Sequence, residues 1–149
     1  MKSASMQLLL VAALSPASLS GCMQHSNPPA NLVLATTRPS DAGKYMVEIS
    51  PPAQQPVRVN QIQTWRIVLR TATGEPVQGA TIEVGGGMPE HGHGFPTQPK
   101  VSPGSEPGHY LLEGMKFSMT GWWEIKLSVQ SPLGADGVTF NTVLPAGSS

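Results

Sequence analysis

From Gly43 onward, apolar residues recur at every second position in short runs that Gly and Pro cut off. Tyr45, Val47 and Ile49 alternate with Lys44, Met46 and Glu48 until Pro51-Pro52 stops the run. Trp65, Ile67 and Leu69 alternate with Thr64, Arg66, Val68 and Arg70, and a Gly74-Glu75-Pro76 turn leads to Ala80, Ile82 and Val84. Tyr110 and Leu112 form a further run, and Trp123, Ile125, Leu127 and Val129 another. Val138 and Phe140 open the last one, after Gly134-Ala135-Asp136-Gly137. A period of two puts successive side chains on opposite faces of a strand. Several such strands, each with one apolar face, predict an antiparallel sandwich.

Gly and Pro number 16 and 15 among 149 residues, which argues against a helical protein. The predicted fold class is all-β, an immunoglobulin-like antiparallel β-sandwich of about seven strands over residues 43–149. Its expected core is Tyr45, Val47, Ile49, Trp65, Ile67, Leu69, Ile82, Val84, Tyr110, Leu112, Trp123, Ile125, Leu127 and Phe140. With a single cysteine the chain forms no internal disulfide. Positive and negative side chains number 9 each, so there is no basic surplus to neutralise phosphates and no nucleic-acid partner is expected.

The first 21 residues read as an export signal. Lys2 precedes the apolar run Leu8 to Leu14, which is too short to span a hydrocarbon core of ~30 Å. Leu19-Ser20-Gly21-Cys22 resembles the bacterial lipobox. That resemblance implies cleavage before Cys22 and a diacylglycerol on its sulfur. The mature chain is then expected to hang from a membrane through lipid, each buried methylene contributing ~0.8 kcal/mol. Met23 follows, with no aspartate to favour inner-membrane retention, so the expected location is the outer membrane facing the periplasm. Residues 22–42, with Pro28-Pro29 and Arg38-Pro39, read as a tether. Leu32-Val33-Leu34 is a candidate short edge strand inside it, and His25 reads as solvated tether.

The segment with chemical character is Gly85 to Pro99, where His91 and His93 flank one glycine. In extended chain, residues i and i+2 project to one side roughly 6.6 Å apart, so two imidazoles can converge on one ion. Met88 lies three residues earlier, and Met115 and Met119 supply further thioethers if their segment folds alongside. For these methionines, filling the core is the competing reading. Imidazole with thioether suits copper, Cu(I) above all, whereas calcium and magnesium seek oxygen. His109, on the wet face of its strand, is a weaker candidate third ligand. No Gly-x-Ser-x-Gly elbow, phosphate loop or His-Glu-x-x-His helix occurs, and no enzymatic activity is expected.

The run Gly86-Gly87-Met88-Pro89-Glu90-His91-Gly92-His93-Gly94 is followed by Thr97-Gln98-Pro99, Gly108-His109-Tyr110, Glu113 to Met119 and Gly121-Trp122-Trp123-Glu124. Together these resemble the FixH/YtkA-like domain family over approximately residues 43–143. The resemblance implies a small exported or membrane-attached bacterial protein with an immunoglobulin-like sandwich. It also implies company with copper- and cytochrome-oxidase-related systems. This chain differs from membrane-spanning FixH proteins in having a lipobox in place of a transmembrane helix, which argues against an oxidase-assembly role by direct analogy. Two functions are thus expected. One is a lipid-anchored protein that binds copper reversibly through His91, His93 and a methionine, for delivery or sequestration. The other is a metal-free module docking a partner in an envelope complex through the Gly-rich segment and outward-facing Trp122.

Overall fold

The computed structural model describes residues 28–53 and 55–147. The signal, Cys22 and His25 lie outside the described residues. Nine strands occur among those described: β1 (Thr37–Pro39), β2 (Tyr45–Ser50), β3 (Gln63–Thr71), β4 (Thr81–Met88), β5 (His93–Gly94), β6 (Lys100–Pro103), β7 (His109–Met115), β8 (Gly121–Ser131) and β9 (Gly134–Leu144). They form two antiparallel sheets, ordered β1-β2-β3-β7-β6 and β5-β4-β8-β9. The all-β sandwich expected from the alternation is the fold observed. Among the described residues no helix is long and apolar enough to cross a membrane.

The period of two carries directly into burial. Along β2 the residues Tyr45, Val47 and Ile49 are buried while Met46 and Glu48 face water. β8 repeats the pattern with Trp123, Ile125, Leu127 and Val129. All but one of the expected core residues are buried in a single cluster. The exception is Val84, which is half-buried at the cluster's edge. Each large side chain fully removed from water contributes about 1.5–3 kcal/mol, so this shared interior is what holds the two sheets together. The core also takes in Met88, Met115, Phe117, Val77 and Leu144.

Three local readings differ from the structure. Leu32-Val33-Leu34 forms no strand, and the edge strand is β1 at Thr37–Pro39. Gly85-Gly86-Gly87-Met88 belongs to β4, paired with β8 from Thr81↔Gln130 to Gly87↔Glu124. The connection between β4 and β5 is therefore only Pro89 to Gly92, most of it a single 3-10 turn. Strands β5 and β6 are too short for their periodicity to be recognised.

The segment before β2, read as tether, is tied to the outer edge of β9. Asp41 N–H donates to Gly137 O at 2.8 Å, and Asn141 Nδ2 donates to Val33 O at 3.1 Å. The Arg38 guanidinium donates to the Thr139 carbonyl. Asp136 accepts from Ser40 Oγ at 2.6 Å and from the backbone N–H groups of Ala42 and Lys44 at 3.0 and 3.3 Å. These bonds, with the Gly137 N–H, hold the Asp136 carboxyl down at about 2, the Ser40 hydroxyl being the largest cause.

Candidate functional site

The site lies where β4 leaves its sheet and β5 returns along it. Pro89 opens the 3-10 turn with its fixed φ, and His91 ends it. Gly92 then takes the left-handed conformation, φ 65° and ψ 24°, and its N–H donates to Met88 O at 3.0 Å. That reversal places His93 in β5 opposite Met88. Extended backbone is thus not what brings the histidines together, since a tight turn does so instead. Their rings lie near-parallel, 25° apart in plane, with centroids separated by 5.7 Å. Both residues are exposed.

Beneath the pair is a shelf of rings. His93 meets Trp123 edge-on at 5.9 Å and 64°. Phe95 stacks on Trp123 at 5.6 Å and 10°, and Phe117 packs edge-on against it at 5.2 Å and 78°. Phe117 also touches Trp65, with centroids 5.9 Å apart. Trp123 and Phe117 have no exposed surface. Close-packed aromatic contacts of this kind add about 0.5–1.5 kcal/mol per pair beyond burial, so the loop sits on a stiff base. Neither Phe95 nor Phe117 belongs to an alternating run, and sequence reasoning missed both. The one available signal is the aromatic character of each in a Pro- or Gly-flanked connection.

The three methionines are placed differently. Met88 and Met115 are 1% and 0% exposed, and both belong to the core. Met119 is 38% exposed, and its carbonyl accepts the Trp123 indole N–H at 3.1 Å. Met119 and His93 therefore border the same indole. His109 lies at the opposite end of the sandwich, where β7 begins, with its Nδ1 3.0 Å from Glu106 Oε2. The adjoining Tyr110 hydroxyl donates to Val77 O at 2.8 Å, ahead of β4, whereas His91 and His93 follow it. The structure thus keeps His109 away from the pair. Trp122 is half-buried, and its indole donates to Asn141 Oδ1 at 2.9 Å on the neighbouring strand.

An open cleft beside the turn is lined by Gly86, Gly87, Met88, Pro89, Gly92, His93, Glu124 and Lys126. Glu124 is engaged there by Lys126 at 2.9 Å. Among the described residues no group of three or more His, Cys, Asp or Glu side chains is placed to hold an ion. A closed structural zinc site of the four-ligand kind does not fit these residues.

The sequence profile of the YtkA-like family matches residues 39–128, more than half of the chain. No curated protein matches in sequence. Among solved structures, the ZirS C-terminal domain is similar at 16% identity and a TM-score of 0.38, over 95% of this chain and 86% of that one. The profile match, on a sandwich whose strands follow the alternation described above, shows that the chain belongs to the YtkA-like family.

Proposed function

We propose that this chain is a lipid-anchored protein of the cell envelope that binds copper reversibly through His91 and His93, for delivery or sequestration and without turnover. The observation that carries the reading is the ring pair itself, exposed, 5.7 Å apart and backed by the buried indole of Trp123. Metal–imidazole bonds of about 2 Å need rings that close together. Met119 is the thioether we assign to the same site, because Met88 and Met115 are packed in the core and Met119 is not. Two nitrogens and one soft sulfur favour Cu(I) over harder ions. An exposed set of so few ligands leaves room for a partner's ligand to approach, which is what hand-over requires. The anchor is the lipid on Cys22, and the expected location is the outer membrane, facing the periplasm.

Titration of the purified protein with Cu(I) and Cu(II), wild type against His91→Ala/His93→Ala, tests the site. The double variant is expected to lose at least tenfold in Cu(I) affinity, in line with about 1.4 kcal/mol or more for lost ligands. Met119→Leu should weaken Cu(I) binding more than Cu(II) binding. Equal affinities in all three proteins overturn the reading. The mass of the mature N-terminal peptide tests the anchor, since an unmodified Cys22 removes it.

A further inference from the structure

A sheet edge is a row of unpaired backbone N–H and C=O groups, and folded proteins guard such edges with short strands, lysine, proline or a covering segment. The four strands at the sheet ends are all guarded among the described residues. β1 and β5 have only three and two residues. β6 has four, with Lys100 and Pro103 at its ends. β9 is strapped by Asp41 and Arg38. One further edge is bare. β4 pairs with β8 on one side from Thr81 to Gly87, but with β5 on the other side only at Gly87 and Met88. From Thr81 to Gly86 that outer side carries no strand, and no loop backbone bonds it among the described residues. Water reaches the main chain there, because Gly85 is exposed and has no side chain. Val84, the one expected core residue left half-buried, lies on this stretch.

We infer that this edge pairs with the same edge of a second copy, antiparallel about a two-fold axis at Val84, joining the two sheets into one. Strand addition to an open edge is a general mode of recognition, and a two-fold contact uses one patch twice. Residues opposite each other in such a pair share a face, so the axis passes beside a residue and not between two. At Glu83 it would set two carboxylates opposite each other, which is destabilising. At Gly85 it would run Glu83 against Gly87, which β5 already occupies. At Val84 it sets Ile82 against Gly86 and Glu83 against Gly85, and it stops where β5 begins. The two Val84 side chains then meet and cover each other's open flank. Charge favours a second copy as the occupant. Gly85 is paired with Lys126 of β8, and Glu83 has no ion pair among the described residues. Lys126 holds Glu124 at 2.9 Å and is itself 55% exposed, so its ammonium has donors left for a second carboxylate. Across the axis, Lys126, Gly85 and the copy's Glu83 fall in one row on the solvent face. Lys126 and that glutamate are two strand spacings, about 10 Å, apart. Extended lysine and glutamate side chains span the distance, and Gly85 puts nothing between them. Symmetry makes the row twice. Such a contact is small beside the ~1,200 Å² of a stable interface, so the dimer is weak and depends on concentration.

The test uses the full chain carrying Cys22→Ser, so that no lipid drives association, followed by sedimentation up to roughly 1 mM, the range of a weak contact. This parent is expected to form a dimer that grows with concentration. Glu83→Lys sets lysine against lysine across the axis, and Lys126→Glu sets glutamate against glutamate. Each variant alone should therefore associate at least about fivefold more weakly. Mixed in equal amounts, the two should regain association as a heterodimer, since each then offers the charge the other needs. An effect confined to one molecule cannot produce that rescue. Both positions are exposed, so thermal unfolding of each variant should stay close to that of the parent. A parent that remains monomeric throughout overturns the second copy as partner. A dimer that both variants leave intact, or a mixture that stays monomeric where the parent dimerises, overturns this edge and register.

Discussion

The imidazole of His93 meets the indole of Trp123 edge-on, with ring centroids 5.9 Å apart. An exposed side chain thus rests on one that water does not reach. Trp123 also touches Phe95 and Phe117, so it belongs to the core and to the site at once. Trp123→Ala should destabilise the protein by about 3–5 kcal/mol through the cavity it leaves, measured by urea unfolding. Trp123→Phe keeps a ring on the shelf and should cost less. A loss of under about 1 kcal/mol for the alanine variant would show that the rings above do not depend on it.

Gly87 sits where β4, β5 and β8 come closest. Its φ is +152°, and a β-carbon there would collide with the His93 carbonyl and lie 2.6 Å from Gly94 Cα. Gly87→Ala is expected to strip β5 from the sheet at a cost of about 1–3 kcal/mol and to weaken copper binding with it. Gly92→Ala is the control, because among the described residues beyond its chain neighbours no atom lies within 4 Å of the added β-carbon and only the left-handed backbone is penalised, by about 1–2 kcal/mol. Thermal unfolding and Cu(I) titration of both variants check the contrast. Equal loss of copper affinity in the two would mean that the turn matters and the strand contact does not.

The sandwich was legible because each strand meets one environment per face, so Tyr45-Val47-Ile49 and Trp123-Ile125-Leu127 display it without help. The end of β4 was not legible. Gly85, Gly86 and Gly87 have no side chains with which to show alternation, yet they are paired with β8. Phe95 and Phe117 were missed because residues in connections are buried by tertiary packing, which no local period records. The closeness of His91 and His93 was expected from their spacing, but the geometry that delivers it, a 3-10 turn closed by left-handed Gly92, depends on where β5 pairs. A thioether is apolar enough for the core and soft enough for a metal, so the sequence could not separate Met88 and Met115 from Met119. Burial does.

Asp136 fastens the segment before β2 to β9, and its pKa gives that fastening a pH signature. The carboxyl is lowered from 3.8 to about 2, first by the Ser40 hydroxyl and then by the Ala42, Gly137 and Lys44 N–H groups. A group whose folded pKa is depressed releases its proton more readily in the native state. Its contribution is therefore present above 3.8 and disappears as the pH falls toward 2. Asp136→Asn should be less stable than wild type at neutral pH, and the two should converge near pH 2. Unfolding midpoints measured across that window check it. A gap that stays constant with pH would mean the carboxylate charge contributes nothing.

Arg38 covers an edge. Among the described residues β9 pairs only with β8, leaving the other side of an 11-residue strand without a partner strand there. Exposed edges of that length invite pairing with a second chain. The Arg38 guanidinium instead occupies the Thr139 carbonyl, and the Asp41 N–H occupies that of Gly137. Arg38→Ala removes the first of these and the charge that accompanies it. The core does not contain Arg38, so the folded state should lose no more than about 1 kcal/mol. Self-association should rise, and multi-angle light scattering of wild type and variant over a concentration series measures it. A variant that stays monomeric wherever the wild type does would show that the backbone bonds of the strap protect β9 without the arginine.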